Sequence, residues 1–373
     1  MGLWPRERRS HDRPAIASLV SCGPQQDYNG DMPWGMIGHA WAVDLLQRHL
    51  VAGQVRHAYL LVGPAGVGKR TLALRFAQAL NCQAAPRRGE ACGECRACRL
   101  IASQSHPDLH VVARVAGESR VQIDQVRELE RKLALAPYEA RWRIALLLGF
   151  HEASPSAENA LLKTLEEPQT QVILLLTAES TESLLPTIPS RCEVLRLRTL
   201  PLAEVEAGLR AWGEPEDRAQ LVASLSGGRP GMALRMVEDP AWLDARSTRL
   251  DDLQAVLGGS RVERFAYVEG LVGKKRKVEL EAKRQEIGQL LEAWIGVWRD
   301  AMVVSQGAHV PLSNPDRTSE LGLLAGRLAP EALTGAIRVL ERTIEAVDHN
   351  ANLQLALETL MLDLPRLGTG GAP

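Results

Sequence analysis

The first 200 residues alternate short apolar runs with segments rich in helix-forming residues. Four of the runs have the length of a β-strand, and the first ends directly in a glycine. Continuous apolar strands separated by helices are typical of a parallel sheet covered on both faces. The pattern therefore predicts an α/β domain with strands at 58–62, 110–112, 144–148 and 172–177 and a helix at 71–80.

Beyond residue 200 the strand signals fade and helical periodicity takes over. Leu353, Leu357, Leu360 and Leu364 recur at helical spacing, and so do five apolar residues within 290–298. Side chains at this spacing share one face of a helix, which points to a buried contact surface. We expect a small helical domain, interrupted by Gly and Pro, and then a larger domain that is entirely helical.

The composition argues against two classes of protein, strongly basic nucleic-acid binders and membrane-spanning proteins. The chain holds 44 basic and 45 acidic residues, for a formal net charge of −1. This balance argues against a dedicated, strongly basic nucleic-acid binder, although a local basic patch remains compatible with it. No apolar stretch reaches the roughly 18 residues that a membrane span needs. With no secretory signal either, we expect a reducing, cytoplasmic compartment.

The two ends differ in character from the rest. Residues 1–31 hold several arginines and an apolar patch at 15–20 that is too short for a secretory signal. We interpret this segment as a disordered leader or as the result of a start codon assigned too early, so that Met32 begins the protein. Residues 366–373 are predicted to be a disordered tail.

A glycine-rich loop follows the first predicted strand and precedes a helix. Gly63, Gly66 and Gly68 allow backbone N–H groups to wrap a phosphate, and Lys69 supplies positive charge beside it. The strand–loop–helix context is the one that a phosphate-binding P-loop requires. We therefore expect ATP or ADP to be a possible ligand, with a chance glycine turn as the alternative.

The loop departs from the ATPase pattern at the magnesium ligand. The position after the lysine should carry Ser or Thr, whose hydroxyl ligates Mg²⁺, but Arg70 stands there. Thr71 is one residue later and is counted with Gly63, Gly66, Gly68 and Lys69 as a candidate nucleotide-binding residue. It faces about 100° further round the helix, so it is a doubtful substitute for the magnesium ligand. The strand at 144–148 also lacks an acidic pair at its end, and Glu152 is interpreted as a surface residue. Without metal and water activation, hydrolysis should be largely lost.

Four cysteines cluster between residues 82 and 98. Their spacing is C-x₉-C-x₂-C-x₂-C, and four thiolates can enclose one ion in a tetrahedral site with no open position. The sequence thus predicts a structural Zn²⁺ centre, with a DNA-binding zinc ribbon as a weaker alternative. The predicted ligands are Cys82, Cys92, Cys95 and Cys98.

One dense basic run occurs at residues 274–277. It could contact DNA phosphates, but Glu279 and Glu281 follow it closely. We favour a solvated helix face at this position.

Three segments together resemble a known family. Residues 159–168 read NALLKTLEEP, residues 188–192 read IPSRC, and residues 350–358 read NANLQLALE. They closely resemble bacterial clamp-loader subunits of the AAA+ class, and the likeness extends from about residue 34 through nearly the whole chain. The family pattern also includes a zinc module after the P-loop helix and a helical collar.

The resemblance implies roles for two further residues. Arg191, within the Ser-Arg-Cys motif, would be an arginine finger that reaches the γ-phosphate of a neighbouring subunit's ATP. A guanidinium suits this task because its planar fork matches developing phosphoryl charge. Thr177, at the end of the predicted fourth strand, would be the sensor of the phosphate state. The plain alternatives are a surface arginine and an ordinary threonine at a strand end.

The resemblance also separates two kinds of family member. ATPase members of the γ/τ type carry a lid arginine in a Gly-x-x-Arg-Asp-Ala pattern, whereas residues 228–233 read GRPGMA and place Gly231 there. The missing acidic pair, the displaced hydroxyl and this glycine all indicate the non-hydrolysing δ′ type. We therefore expect no intrinsic ATPase activity. A γ/τ-like active ATPase is the alternative, and a free-standing zinc-containing nucleic-acid binder is a weaker one.

The sequence thus predicts five segments and a hetero-oligomeric function. These are the leader at 1–31, an AAA+ P-loop α/β domain at 32–200, a helical lid at 201–241, an all-helical collar at 242–365 and the tail at 366–373. The resemblance implies assembly with γ/τ-type and δ-type subunits within DNA polymerase III. It implies that the complex, not this chain alone, meets the sliding clamp and primed DNA.

Overall fold

A computed structural model describes residues 33–115, 118, 120–273, 277–308, 310–349 and 351–367. The predicted leader, the last six residues of the predicted tail and residues 274–276 of the basic run lie outside this part of the chain. No helix within it is long and apolar enough to cross a membrane.

A five-stranded, wholly parallel sheet forms the centre of the N-terminal half. Its strands are β1 (Ala58–Val62), β2 (Leu109–Val112), β3 (Arg143–Leu147), β4 (Val172–Ala178) and β5 (Glu193–Arg196). They lie in the order β2-β3-β4-β1-β5. The four predicted strands are confirmed to within one residue at either end. The fifth strand was missed.

The missed strand has a plain physical reason. β5 is four residues long, lies at the edge of the sheet and begins and ends with the charged residues Glu193 and Arg196. An edge strand with a solvated side shows no continuous apolar run. Its pairing with β1 in the register Leu60↔Val194 comes from the tertiary fold rather than from the local pattern.

Helices cover both faces of the sheet. They are α1 (Ala40–Ala52), α2 (Lys69–Asn81), α3 (Arg96–Ala102), α4 (Ile123–Leu133) and α5 (Pro155–Glu166). Because side chains alternate along a strand, Leu60 joins the core on the α4–α5 face while Tyr59 and Leu61 join the core on the α1–α2 face. This burial on both faces explains why the central strands are apolar at nearly every position, with Arg143 and Thr177 as the buried polar residues.

The rest of the described chain is helical. α6 (Leu202–Ala211), α7 (Glu216–Ser226) and α8 (Pro230–Glu238) share a small core that includes Ile37. A larger core is formed by α9 (Pro240–Gly258), α10 (Arg261–Val272), α11 (Lys277–Ser305), α12 (Thr318–Arg327), α13 (Pro330–Asp348) and α14 (Leu353–Asp363). The predicted architecture is confirmed: an α/β domain with a parallel sheet is followed by a small helical part (α6–α8), here called the lid, and a larger all-helical part (α9–α14), here called the collar.

The predicted helical faces lie in the collar core. Trp294 and Trp298 are fully buried there, and so is Leu357. The indole of Trp294 donates a hydrogen bond to the carbonyl of Arg249 at 2.7 Å, which ties α11 to α9. The apolar stripes of α11 and α14 therefore form the contact surface that their spacing predicts.

Candidate functional site

The glycine-rich loop connects the end of β1 to the start of α2. Gly63, Gly66 and Gly68 all have positive φ angles, of 153°, 79° and 106°. At Gly63 a Cβ atom would lie 2.2 Å from the carbonyl oxygen of Leu197, so only glycine fits. No side chain caps the first turn of α2, which leaves its N–H groups directed toward the loop, as phosphate binding requires.

Lys69 is folded back onto this loop. Its ammonium group donates hydrogen bonds to the carbonyl of Gly63 and, at 3.0 Å, to that of Pro64. Burial lowers the pKa of Lys69, and the nearby carboxylate of Glu179 acts in the opposite direction. The ammonium group of Lys69 is therefore hydrogen-bonded within the loop. A bound phosphate would have to compete with these two carbonyl groups for it.

The two residues after Lys69 differ from the Ser or Thr arrangement that holds Mg²⁺ in P-loop ATPases. Thr71 is exposed, whereas Arg70 is half-buried at the position where the hydroxyl ligand belongs. Burial lowers the pKa of Arg70, and the positive charge of Arg235 on α8 adds to the effect. Arg70 thus adds a second positive charge, besides that of Lys69, at the position where an ATPase would hold Mg²⁺.

The lid contacts the loop through backbone atoms. The N–H of Met232, in the first turn of α8, donates to the carbonyl of Gly66 at 3.1 Å. A Cβ atom at Gly231 would lie 2.8 Å from the same carbonyl oxygen. No side chain fits at Gly231 without moving the lid, and this includes the arginine expected in ATPase relatives.

Replacing Gly231 with alanine should therefore destabilise the junction between lid and loop. Overpacking against backbone costs about 1–3 kcal/mol, and thermal unfolding would show it as a lower transition temperature. Gly270→Ala is the matched control because Gly270 is an exposed glycine within α10 with no atom within 4 Å of its virtual Cβ. The control should be neutral or stabilising by up to about 1 kcal/mol. Equal behaviour of the two variants would contradict the close contact.

His39 contacts the glycine-rich loop at Val67. It precedes α1 with a φ of 56°, is 3% exposed, and its Nε2 lies 3.0 Å from the carbonyl oxygen of Val67. Burial lowers the pKa of His39, although the carbonyl of Val67 and the charge of Glu204 raise it. The sequence pattern did not single out this residue, since a lone histidine before a helix carries no local signal.

The end of β3 carries no free acidic pair. Glu152 lies in the short helix Phe150–Glu152 and accepts a hydrogen bond from Nε of Arg114 at 2.9 Å. Thr177 is buried on β4, and its hydroxyl oxygen accepts the N–H of Gly149 at 2.8 Å. The predicted sensor threonine thus links β4 to the chain just after β3. Glu152 has its own cationic partner.

Arg191 ends a short helix, Pro189–Arg191, that precedes β5. Its side chain is 35% exposed, and one guanidinium nitrogen lies 2.7 Å from a carboxylate oxygen of Glu166. The other terminal nitrogen donates to the carbonyl of Thr187 at 3.1 Å and to the hydroxyl of Ser190 at 3.3 Å. The guanidinium is thus fixed at the surface by acceptors from its own chain.

The four clustered cysteines meet at the far end of α2. Their sulfur atoms all lie within 4.8 Å of one another. The Cys82–Cys92 separation is 3.5 Å and the Cys92–Cys98 separation is 4.0 Å. Four thiolates bound tetrahedrally at about 2.3 Å would be about 3.8 Å apart, so the cluster could hold a metal ion.

Local structure positions these thiols. Cys82 follows the last residue of α2, Cys95 precedes the first residue of α3, and Cys98 is buried on α3. Burial would raise the pKa of Cys95, but hydrogen bonds from the backbone of Cys98 and Gln83 outweigh it and bring the pKa to about 6. A bound ion would join α2 to α3.

The predicted residues fall into three places. The loop glycines, Lys69 and Thr177 surround the end of β1 and β4; the cysteines lie at the other end of α2, about 20 Å along a 13-residue helix. Arg191 belongs to neither group and points to the surface. The sequence missed His39, Glu166 and Glu179, whose roles depend on contacts between distant segments.

Comparison with known proteins agrees with the motifs. A family model described as "DNA polymerase III, delta subunit" matches residues 38–201. The δ′ subunit of DNA polymerase III from Pseudomonas aeruginosa is 42% identical over 186 residues, which are 49% of this chain and 56% of that protein. The δ′ subunit from Bacillus subtilis is 26% identical over 320 residues, covering 86% of this chain and 94% of that protein.

A relative with a different subunit name is similar over a shorter length. The subunit named DNA polymerase III τ from Bacillus subtilis is 36% identical over 158 residues, which are 42% of this chain and 27% of that protein. The chain therefore spans little more than half of the Pseudomonas δ′ subunit and about a quarter of the τ subunit. Residues 38–201 thus match a family of DNA polymerase III subunits, and over about half of its length the chain is similar to δ′ subunits.

Proposed function

We propose that this chain is a non-hydrolysing δ′-type subunit of the clamp loader, and that it supplies Arg191 to the ATP of a neighbouring subunit. The observation that carries the proposal is the surface position of Arg191, whose guanidinium is partly exposed and anchored at 2.7 Å to Glu166. An exposed, fixed guanidinium suits a neighbour's γ-phosphate, because a pre-positioned cation stabilises charge as it develops. In this proposal the complex opens the sliding clamp and places it on primed DNA.

The chain's own nucleotide site supports a non-hydrolysing role. Arg70 occupies the place of the magnesium ligand, and the exposed Thr71 lies outside the loop. Glu152 is paired with Arg114. Polarisation of an attacking water needs a metal and a free acidic group, and neither has its ligands in place. The phosphate-binding residues would be Gly63, Gly66, Gly68 and Lys69 with Thr177 nearby, and ATP or ADP held there would remain intact.

The division of the chain follows from its hydrophobic cores. We assign the α/β domain to 32–200, the lid to 201–241 and the collar to 242–365, because the cores around the sheet, around α6–α8 and around α9–α14 are separate. The collar would be the surface that joins γ/τ-type and δ-type subunits into a cytoplasmic complex. The chain would thereby be a component of the DNA polymerase III holoenzyme without polymerase activity of its own.

Co-assembly tests this function directly. The purified chain, mixed with γ/τ-type and δ-type subunits, should elute with them as one complex in size-exclusion chromatography. The complex should load a sliding clamp onto primed DNA, and omission of this chain should abolish loading. Failure to co-elute with either partner type would contradict the proposal.

We further propose that the ion in the cysteine cluster is Zn²⁺ and that its role is structural. Four soft thiolates with no open position are typical of structural zinc. When bound, zinc supplies a cross-link and no reactive ligand. Cys82, Cys92, Cys95 and Cys98 would hold it between α2 and α3.

Elemental analysis of the purified chain should therefore find about one zinc per chain. Cys95→Ser should lower zinc content severalfold and make residues 82–98 the first site of limited proteolysis. Cys192→Ser is the matched control, because Cys192 lies outside the cluster and burial raises its pKa to about 12. Unchanged zinc in the Cys95 variant, or equal loss in the control, would contradict the assignment.

A further inference from the structure

Two motifs that are distant in sequence meet at one ion pair. Glu166 is the last residue of α5 and belongs to the NALLKTLEEP segment, while Arg191 belongs to the IPSRC segment. Their side chains approach to 2.7 Å, with Arg191 35% exposed and Glu166 51% exposed. The carboxylate is therefore the acidic partner of the guanidinium that the proposed function assigns to the neighbour's ATP.

The position of Glu166 is unfavourable for the helix that carries it. It lies at the C-terminal end of α5, where the helix dipole disfavours a carboxylate, and its side chain is solvent-exposed rather than part of a core. Neither helix stability nor packing accounts for an acidic residue at this place. The contact with Arg191 does.

The acceptors of Arg191 are divided between its two terminal nitrogens. Thr187 and Ser190 hold one terminal nitrogen of the guanidinium, and Glu166 holds the other. Two anchored nitrogens fix the plane and direction of the fork, whereas a single anchored nitrogen leaves it free to rotate. A long, exposed side chain otherwise samples many rotamers, and only some of them direct donors outward.

We propose that Glu166 is a positioning residue for Arg191 and holds the finger in the orientation that a neighbour's γ-phosphate requires. The inference rests on the proposed function, because it needs Arg191 to act in trans. Glu166 does not touch the nucleotide. It accepts a hydrogen bond from the guanidinium and restricts its orientation. Arg191 therefore loses less conformational entropy when it contacts the phosphate.

The side-chain oxygen, more than the charge, should carry this role. Glu166→Gln keeps an oxygen that can accept from the same nitrogen, whereas Glu166→Ala removes it. Exposed ion pairs of this kind contribute modestly, so the alanine variant should lower the kcat of ATP hydrolysis at the neighbouring site about two- to fivefold. KM for ATP should stay unchanged, because the finger acts on the transition state.

The experiment uses the reconstituted clamp-loader complex and compares Glu166→Ala, Glu166→Gln, Arg191→Ala and the double variant Glu166→Ala/Arg191→Ala. Glu167→Ala is the matched control, because Glu167 is the next residue, is also exposed and makes no ion pair among the described residues. Single-turnover hydrolysis separates kcat effects from binding. Size-exclusion chromatography and circular dichroism check that each variant folds and assembles.

The expected result is a fall for Glu166→Ala, near wild-type rates for Glu166→Gln and Glu167→Ala, and no further fall when Glu166→Ala is added to Arg191→Ala. A normal rate for Glu166→Ala, or an equal fall in the Arg191→Ala background, would overturn the positioning role. If Arg191→Ala itself hydrolyses normally, the finger assignment fails instead, so the two failures are distinguishable.

Discussion

Replacing Arg191 with alanine is expected to slow ATP hydrolysis at the adjoining subunit by about 10³-fold, while the clamp-loader complex still assembles. The loss is large because the guanidinium would stabilise charge that develops only in the transition state. The cost to folding should be small. Arg191 is partly exposed and its ion pair with Glu166 lies at the surface, where such pairs contribute about 0–1 kcal/mol.

Two further variants sharpen this prediction. Arg191→Lys keeps the positive charge but loses the planar fork, so its rate should lie between those of wild type and alanine. Arg131→Ala is the control, because this arginine on α4 is 75% exposed and pairs with Glu128 at 2.7 Å in the same helix. The readout is single-turnover hydrolysis in the reconstituted complex. A wild-type rate for Arg191→Ala would refute the finger.

The second large effect concerns the stability of the α/β domain. Asp108 is completely buried, and its carboxylate accepts the backbone N–H groups of Tyr138, Glu139 and Ala140 at 2.6–2.9 Å. It also pairs with the buried Arg143 at 3.2 Å. Asp108→Ala would leave the buried guanidinium of Arg143 without its carboxylate partner and three backbone amides without an acceptor. We expect a loss of about 3–5 kcal/mol in the free energy of unfolding.

The pH dependence of this contribution has a definite sign. Burial would raise the pKa of Asp108, but hydrogen bonds from the backbone of residues 138–140 and from Arg143 outweigh it and hold the pKa below its usual value. The stabilisation is therefore fully present above the unfolded pKa of about 4 and is lost as the pH falls through the lower folded pKa.

Denaturant unfolding from pH 8 down to pH 3 tests both statements. The difference between wild type and Asp108→Ala should stay constant above about pH 5 and begin to shrink below about pH 4. Asp124→Ala is the control, since Asp124 is 88% exposed at the start of α4 and should cost at most about 1 kcal/mol. A loss below 1 kcal/mol for Asp108→Ala would contradict the buried network.

The sequence predicted most of the fold because local pattern and tertiary structure agree there. The apolar residues of β1, β3 and β4 are buried at every position, and the stripes of α11 and α14 lie in the collar core. The edge strand β5 was missed because its charged end residues, Glu193 and Arg196, leave no continuous apolar run. The glycine loop was placed correctly because its strand–loop–helix context is a local signal.

The sequence predicted site residues only where the spacing of residues along the chain indicates their chemistry. The four cysteines lie close together as their spacing indicates, and Arg191 lies at the surface. No local signal places His39 under the loop or Glu166 beside Arg191, because each contact joins segments that only the fold brings together. The clash that a side chain at Gly231 would make with Gly66 is likewise a property of the packed lid.

The proposed chain assists ATP hydrolysis at a neighbouring subunit without hydrolysing ATP itself, so ATP turnover by the purified chain alone is the decisive measurement. With Mg²⁺ and saturating ATP, the chain should release no phosphate above background, and Lys69→Ala should give the same trace. The same preparation, added to γ/τ-type and δ-type subunits, should restore hydrolysis that depends on Arg191. Steady turnover by the isolated chain that Lys69→Ala abolishes would rule out a non-hydrolysing subunit and indicate an active ATPase.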